Sequence, residues 1–367
     1  MEILAPAGGP EALRAAVFAG ADAVYLGGPA FGARANAKNF SREELAQAVE
    51  FCHSRGVRVH VTVNILLKDQ ELEEALDFVR FLCGLPVDAV LVQDVGLFSL
   101  LRERAPQLPL HASTQMSLHT PQGVKLLWEL GASRVVLARE LSLEEIREIR
   151  QACPVELESF VHGALCMSVS GQCYFSALLG GRSGNRGSCA QPCRLPFAAP
   201  GGTGHDLSLK DLSFVEELGQ LEQAGVCSAK IEGRMKRPEY VAAAVSACRR
   251  AAQGEAVPPR LLEDLQAVFS RSGFTQGYLT GERGASMFGV RRKEDVTGAT
   301  EKVFSSLRGL YRGELARVPL SLTLTQEKGE ILLQARDQEG REAVARGPVS
   351  EERAPLPRQR CIQQLEK

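Results

Sequence analysis

The chain has 367 residues, of which 44% are hydrophobic and 24% charged, and its formal net charge is −1. That length can bury a large core and suits one sizeable α/β domain with additional material. Near-neutral charge excludes a bulk attraction to nucleic acid, and no run approaches the roughly 18 apolar residues of a membrane span.

Residues 2–6 (EILAP) are an apolar run ending in Pro, with Gly8 and Gly9 behind it. Residues 10–20 (PEALRAAVFAG) predict a helix opened by Pro and closed by Gly, and 21–27 (ADAVYLG) predict the next strand. That unit recurs. Helices are expected over 41–55, where Ser41 and Glu44 form a capping box, and over 71–84, 95–105, 121–131, 142–152, 211–225 and 237–252. Strands are expected over 57–65, 87–93, 108–115, 134–138, 155–161 and 226–231. Strands alternating with helices argue for a parallel sheet. Eight such units over residues 1–253 fit a closed (β/α)8 TIM-like barrel, with a cysteine-rich insertion at 162–205 after strand seven. A doubly wound open sheet is the competitor. It would want a G-x-G-x-x-G turn after the first strand, and Ala5-Pro6-Ala7-Gly8-Gly9 does not supply one. Residues 254–310 then read as a helical extension. Residues 311–367 read as a partial β-rich module, because 318–325 (VPLSLTLT) and 330–336 (EILLQAR) alternate in part with period two.

In such barrels the working face lies at the C-terminal ends of the strands. The residues expected there are Tyr25, Asn64, Gln93 with Asp94, Ser113 with Gln115, Arg139 with Glu140, His162, and Glu232 with Arg234. Any one of them is as well explained as a solvated loop residue. Seven apolar strands all ending in polar residues point to a ligand pocket. Arg139, Lys230 and Arg234 suit a small molecule bearing a carboxylate, with Tyr25, Asn64 and Gln115 as further substrate contacts. His162, Glu232 and Asp94 are the candidate proton carriers. Arg271, Arg283, Arg291, Arg292 and Lys293 form a basic cluster that reads equally as phosphate contacts or as a solvated linker.

The segment from His162 to Arg194 (HGALCMSVSGQCYFSALLGGRSGNRGSCAQPCR) holds Cys166, Cys173, Cys189 and Cys193 among glycines and small polar residues. So little apolar surface cannot order a segment by core formation, and four thiolates on one soft metal centre would. No basic-plus-apolar leader follows Met1, so a reducing, cytoplasmic setting is expected, which argues against disulfides. Only Cys189 and Cys193 have knuckle-like spacing, and zinc and iron–sulfur both stay open on spacing alone. Cys52, Cys83, Cys153 and Cys248 fall on expected helices or their ends and read as packing residues, while Cys227 in the last strand is a reserve ligand. No H-E-x-x-H and no nucleophile–base signature is visible. A scaffold that is merely stapled by its metal therefore also stays open.

The cysteine segment, together with 228–241 (SAKIEGRMKRPEYV), the opening 2–27 and 111–120 (HASTQMSLHT), resembles peptidase family U32, the collagenase-like family, over about residues 1–310. The resemblance implies Cys166, Cys173, Cys189 and Cys193 as ligands of a [4Fe-4S] cluster. It implies oxygen-independent hydroxylation of an RNA pyrimidine, with prephenate as oxygen donor, and it carries a peptidase label as the alternative. The run 180–187 (GGRSGNRG) is similar to the RNA-hydroxylating branch. Residues 299–367 resemble the start of an extra domain in the branch that modifies a cytidine of large-subunit ribosomal RNA. On that likeness the chain stops mid-domain, and its RNA binding would depend on a region beyond Lys367.

Overall fold

In the computed structural model, which describes all residues except 203, 316–318, 328, 339 and 349–367, strand β1 (Glu2–Pro6) is buried along its whole length. Pro10 opens α1 (Pro10–Ala19), and Gly20 closes it at φ 106°, a left-handed cap that a side chain would strain. The unit repeats through β2 (Ala23–Gly27), α2 (Arg42–His53), β3 (Arg58–Val63), α3 (Leu72–Cys83), β4 (Ala89–Val92) and α4 (Val95–Arg104). It continues through β5 (Leu110–Ala112), α5 (Pro121–Glu129), β6 (Arg134–Val136), α6 (Leu143–Ala152) and β7 (Glu156–Gly163). The cysteine segment follows, with its short helix α7 (Phe175–Gly180), and then come β8 (Asp211–Ser213), α8 (Leu218–Gln223), β9 (Val226–Ile231) and α9 (Pro238–Ala252). The expected capping box of Ser41 and Glu44 is formed, and Ser142 and Glu145 form a second one on α6.

Strands β1 to β7 pair in parallel in sequence order; β7 then pairs in parallel with β9, and β9 with β1. The sheet therefore closes into an eight-stranded barrel and the open-sheet alternative is excluded. Val59, Val61 and Val63 of β3 join the main core with the apolar faces of the helices. The alternate set behaves differently, because much of the barrel interior is polar. Arg134 Nη1 lies 2.5 Å from Glu2 Oε1 and 3.2 Å from Glu158 Oε2, and Lys230 Nζ lies 2.6 Å from Glu158 Oε1. His60 and His111 complete this layer edge to face, and burial pushes His60 down to about 4 and His111 well below its ordinary value.

One expected element needs correction. Residues 211–225 were expected to be a single helix, but Asp211–Ser213 is a strand antiparallel to the end of β7, and only Leu218–Gln223 is helical. The Asp211 carboxylate is taken by the Arg271 guanidinium, so it cannot cap a helix, and Phe214 N–H donates to Val161 O at 2.7 Å.

The extension comprises α10 (Pro259–Val268), β10 (Phe274–Thr275), α11 (Lys293–Thr297) and α12 (Glu301–Arg308). Helices α10 and α12 pack on α9, so the extension shares one compact unit with the barrel, Met1–Glu314. The second unit, Leu315–Lys367, contains an antiparallel meander of β11 (Leu320–Glu327), β12 (Glu330–Asp337) and β13 (Glu342–Pro348). The period-two stretches became β11 and β12. β13 was not foreseen, since Val344 is its single large apolar residue. Val318, where the first of those stretches began, and the end of the chain lie outside the described residues. Among the described residues no helix is long and apolar enough to cross a membrane.

Candidate active site

The C-terminal ends of the barrel strands and the cysteine segment enclose one cavity of about 640 Å³. Two glycines press the segment onto the barrel loops. A Cβ at Gly171 would stand 2.1 Å from Gln115 O, and one at Gly187 would stand 2.5 Å from Ala35 N, both at positive φ. Arg194 adds a third tie, donating from Nη1 to Leu209 O at 2.7 Å and to Ser208 Oγ at 3.1 Å, and from Nη2 to Leu165 O.

Of the residues expected at the mouth, Tyr25, Asn64, Gln115, Arg139, Lys230, Glu232 and Arg234 line the cavity. Glu232 is the one carboxylate among them. Its Oε2 lies 3.0 Å from Arg139 Nη2 and 3.2 Å from Arg34 Nη2. Burial pushes this carboxyl up, but the two guanidiniums outweigh burial and bring it down to about 2. Arg34 was missed by sequence reasoning; it sits in the long loop after β2, where no periodicity marks it. Arg234 is 3% exposed, and its Nη1 donates to Thr62 Oγ1 at 2.9 Å. Burial lowers this guanidinium to about 10. Its slot is cut by glycine: a Cβ at Gly8 would lie 1.6 Å from Arg234 O, and one at Gly27 would lie 2.2 Å from Arg234 Nη1. Lys230 Nζ, paired with Glu158 below, also stands 4.5 Å over the Tyr25 ring, whose hydroxyl donates to Ile231 O. Burial lowers Lys230, Glu158 acts against it, and the net direction is down. Asn64 supports the walls, accepting from Ala33 N at 3.0 Å and donating to Ser113 Oγ at 3.4 Å.

Two expected proton carriers do not reach the cavity. Asp94 caps α4, accepting from Leu97 N at 2.9 Å and Leu67 N at 3.1 Å. His162 is 0% exposed, with its Nδ1 3.0 Å from the Tyr240 hydroxyl and its ring between Phe269 and Phe274. Tyr240 donates to Glu232 O at 2.8 Å, so His162 braces the strand that carries Glu232, and burial lowers it to about 3. The cause is a slip in register. Phe160 pairs with Lys230 but His162 pairs with Ile231, so Val161 is extra and the inward face of β7 is lost at its last turn.

Cys166, Cys173, Cys189 and Cys193 all line the cavity, and none is in a disulfide. Cys189 Sγ accepts from Gln191 N at 3.3 Å and from Ser176 Oγ at 3.8 Å. Gln191 sits at φ 56°, the left-handed turn between the last two cysteines. Burial pushes the Cys193 thiol up; Arg194 opposes this, and the neighbouring Cys166, Cys189 and Cys173 add to it. Among the described residues, only His60, His111 and Glu158 bring three metal-ligating atoms within 4.8 Å of one another. No three of the four thiols lie that close to one another. Cys227 does not line the cavity; its Sγ donates to Leu157 O at 3.3 Å, and it is no reserve ligand. Cys52, Cys153 and Cys248 are buried as expected, whereas Cys83 is exposed.

Comparison with known proteins follows the same residues. The sequence model of peptidase family U32 matches residues 8–288. The 23S rRNA 5-hydroxycytidine C2501 synthase of Escherichia coli (strain K12) is 46% identical over 248 residues, covering 66% of this chain and 37% of that protein. The tRNA hydroxylation protein P1 of Bacillus subtilis (strain 168) is 37% identical over 315 residues, covering 80% of this chain and 74% of that protein. A collagenase of Porphyromonas gingivalis (strain ATCC BAA-308 / W83) is 33% identical over 339 residues, covering 83% and 81%. The matched segment thus spans little more than a third of the E. coli protein. Because the match runs through barrel strands, mouth and cysteine segment alike, the chain belongs to peptidase family U32.

Proposed function

We propose that the chain hydroxylates a pyrimidine of RNA, with a [4Fe-4S] cluster held by Cys166, Cys173, Cys189 and Cys193 and with prephenate as the anionic oxygen donor. The observation that carries this reading is one cavity that presents four thiols to a cationic floor. Two relatives named for RNA hydroxylation support the class of reaction. The donor set fits the group: four soft thiols on one cavity, with N–H and O–H donors on Cys189 Sγ. When bound, the cluster would supply the electron-transfer chemistry that oxidation of a ring carbon needs. The residues of the chain do the rest. Arg234, which has no carboxylate partner among the described residues, takes a carboxylate of the donor, and Arg139 and Arg34 keep Glu232 ionised and fixed. Lys230, whose affinity for its proton is lowered, holds or moves a proton at Nζ on the cavity floor.

A peptidase reading has the collagenase relative behind it. The geometry favours it less. Among the described residues no histidine lines the cavity, and the one carboxylate that does, Glu232, at about 2, is a weak base at neutral pH. The test is nucleoside mass spectrometry of ribosomal and transfer RNA from cells whose only copy is the wild-type chain or Cys166→Ala with Cys173→Ala. A hydroxylated pyrimidine present with the first and absent with the second is expected. A nucleoside profile that ignores the chain would end the reading, and gelatin hydrolysis surviving the double substitution would favour the peptidase.

A further inference from the structure

We propose that the rim of the cavity is a docking platform for unpaired RNA, on which Tyr174 and Leu178 stack against bases next to the target while Lys236, Arg291 and Arg182 receive phosphates. This rests on the RNA reading above and narrows it to strands whose bases are free.

The rim is apolar where a soluble surface is ordinarily polar. Tyr174 is 63% exposed, Leu178 84%, Leu179 59% and Met235 57%. Leu178 N–H donates to Tyr174 O at 3.0 Å, so the two side chains stand one helical turn apart on one face of α7. Tyr174, Met167, Val169 and Met235 also line the cavity, which makes this surface continuous with the mouth. Its position is fixed from below: the Phe175 ring packs 5.5 Å from Phe197, and Ser176 Oγ reaches both Ala190 N and Cys189 Sγ. A contiguous exposed apolar patch at a site marks something that docks there.

The charge around the patch selects the occupant. Arg182, Lys236 and Arg291 make no ion pair with a carboxylate among the described residues; Arg182 Nε donates to Ser188 O at 3.0 Å and Lys236 Nζ stands 4.6 Å over the Phe269 ring. Lys236 and Arg271 line the cavity, and the Asp211 carboxylate is paired with Arg271. The segment that carries Arg291 runs beside Arg271: Ser272 Oγ donates to Val290 O at 2.6 Å, and a Cβ at Gly289 would lie 2.8 Å from Arg271 O. A phosphate backbone satisfies unpaired cations, and base faces cover aromatic and aliphatic side chains without regard to sequence. A base buried in a duplex cannot present a ring carbon to a closed cavity, so the strand that docks must already be open or be opened here.

The experiment is fluorescence anisotropy on the full chain, purified anaerobically. The probes are a labelled 12-nucleotide pyrimidine RNA and the same strand annealed to its complement. The unpaired strand is expected to bind at least about tenfold tighter than the duplex. Tyr174→Ala is expected to weaken binding of the unpaired strand by about 5- to 100-fold, and Leu178→Ser to act in the same direction, while Tyr174→Phe retains binding. Lys236→Gln with Arg291→Gln should flatten the slope of log affinity against log salt by about 1.4, at roughly 0.7 per phosphate contact on a single strand. Equal binding of strand and duplex, or wild-type affinity in both Tyr174→Ala and Leu178→Ser, would overturn the platform. So would a change of oligomeric state in Tyr174→Ala with RNA affinity intact, since the patch would then join copies of the chain. If the platform fails while a hydroxylated base still depends on the chain, the RNA reading survives; if that base is missing, the RNA reading falls on its own test.

Discussion

At neutral pH Glu232 is ionised, and its two guanidinium neighbours decide what it can do. Its folded pKa of about 2 lies below the ordinary 4.5, so its ion pairs contribute stability that is fully present above about pH 4.5 and is lost as pH falls towards 2. Activity measured from pH 5 to 8 should therefore show no acid limb from this group. Glu232→Gln leaves Arg139 buried without its partner and is expected to cost about 1–3 kcal/mol in urea unfolding. If the proposed reading holds, Arg234→Lys, which keeps the charge but loses the two-pronged fork, should raise the KM for prephenate at least about tenfold. His162 titrates in the opposite sense to a His that gains an acidic partner. Its folded pKa, about 3, lies below the ordinary 6.5, so both states are neutral above 6.5 and the protein loses stability as pH falls from 6.5 towards 3. His162→Phe should reduce that loss, by on the order of 1–2 kcal/mol between pH 7 and pH 5, in denaturation curves taken at the two values. An unchanged pH profile of stability would contradict a buried neutral imidazole.

Among the elements, the first turn after β1 and the last turn of β7 do most to shape the site. Gly8 has no room for a side chain, because the atom in the way is backbone, Arg234 O, which cannot swing aside. Gly8→Ala should destabilise by about 2 kcal/mol or more, or displace Arg234 and abolish carboxylate binding; a wild-type melting temperature with intact binding would refute the close approach. Sequence patterning was enough to find every barrel strand, because each is a short apolar run between a helix end and a polar residue. It was enough for the caps at Ser41 and Gly20 as well, since those signals are local. It failed where partners are distant in sequence. The extra Val161 that turns His162 outward is a matter of register with β9, and Asp211 is drawn into a strand by Arg271, 60 residues away. Asp94 was misplaced for a simpler reason: a strand-end acid followed by an apolar run is also how a helix cap reads.

Over the whole barrel, closure was legible from eight repeats, whereas the polar interior was not. Alternation tells which residues face inward but not which charges will meet. Glu2, Arg134, Glu158 and Lys230 come from four strands, and only the closed cylinder brings them together. The same closure places the thiols over Lys230 and Arg234, although the segment that carries them has no core of its own. The measurement that tests the account most directly is iron and acid-labile sulfide content of the anaerobically purified chain, beside single Cys→Ala variants at 166, 173, 189 and 193. About four irons and four sulfides per wild-type chain are expected, lost or sharply reduced in each variant while the barrel stays folded by circular dichroism. Stoichiometric zinc in place of iron, or iron that survives the substitutions, would contradict it.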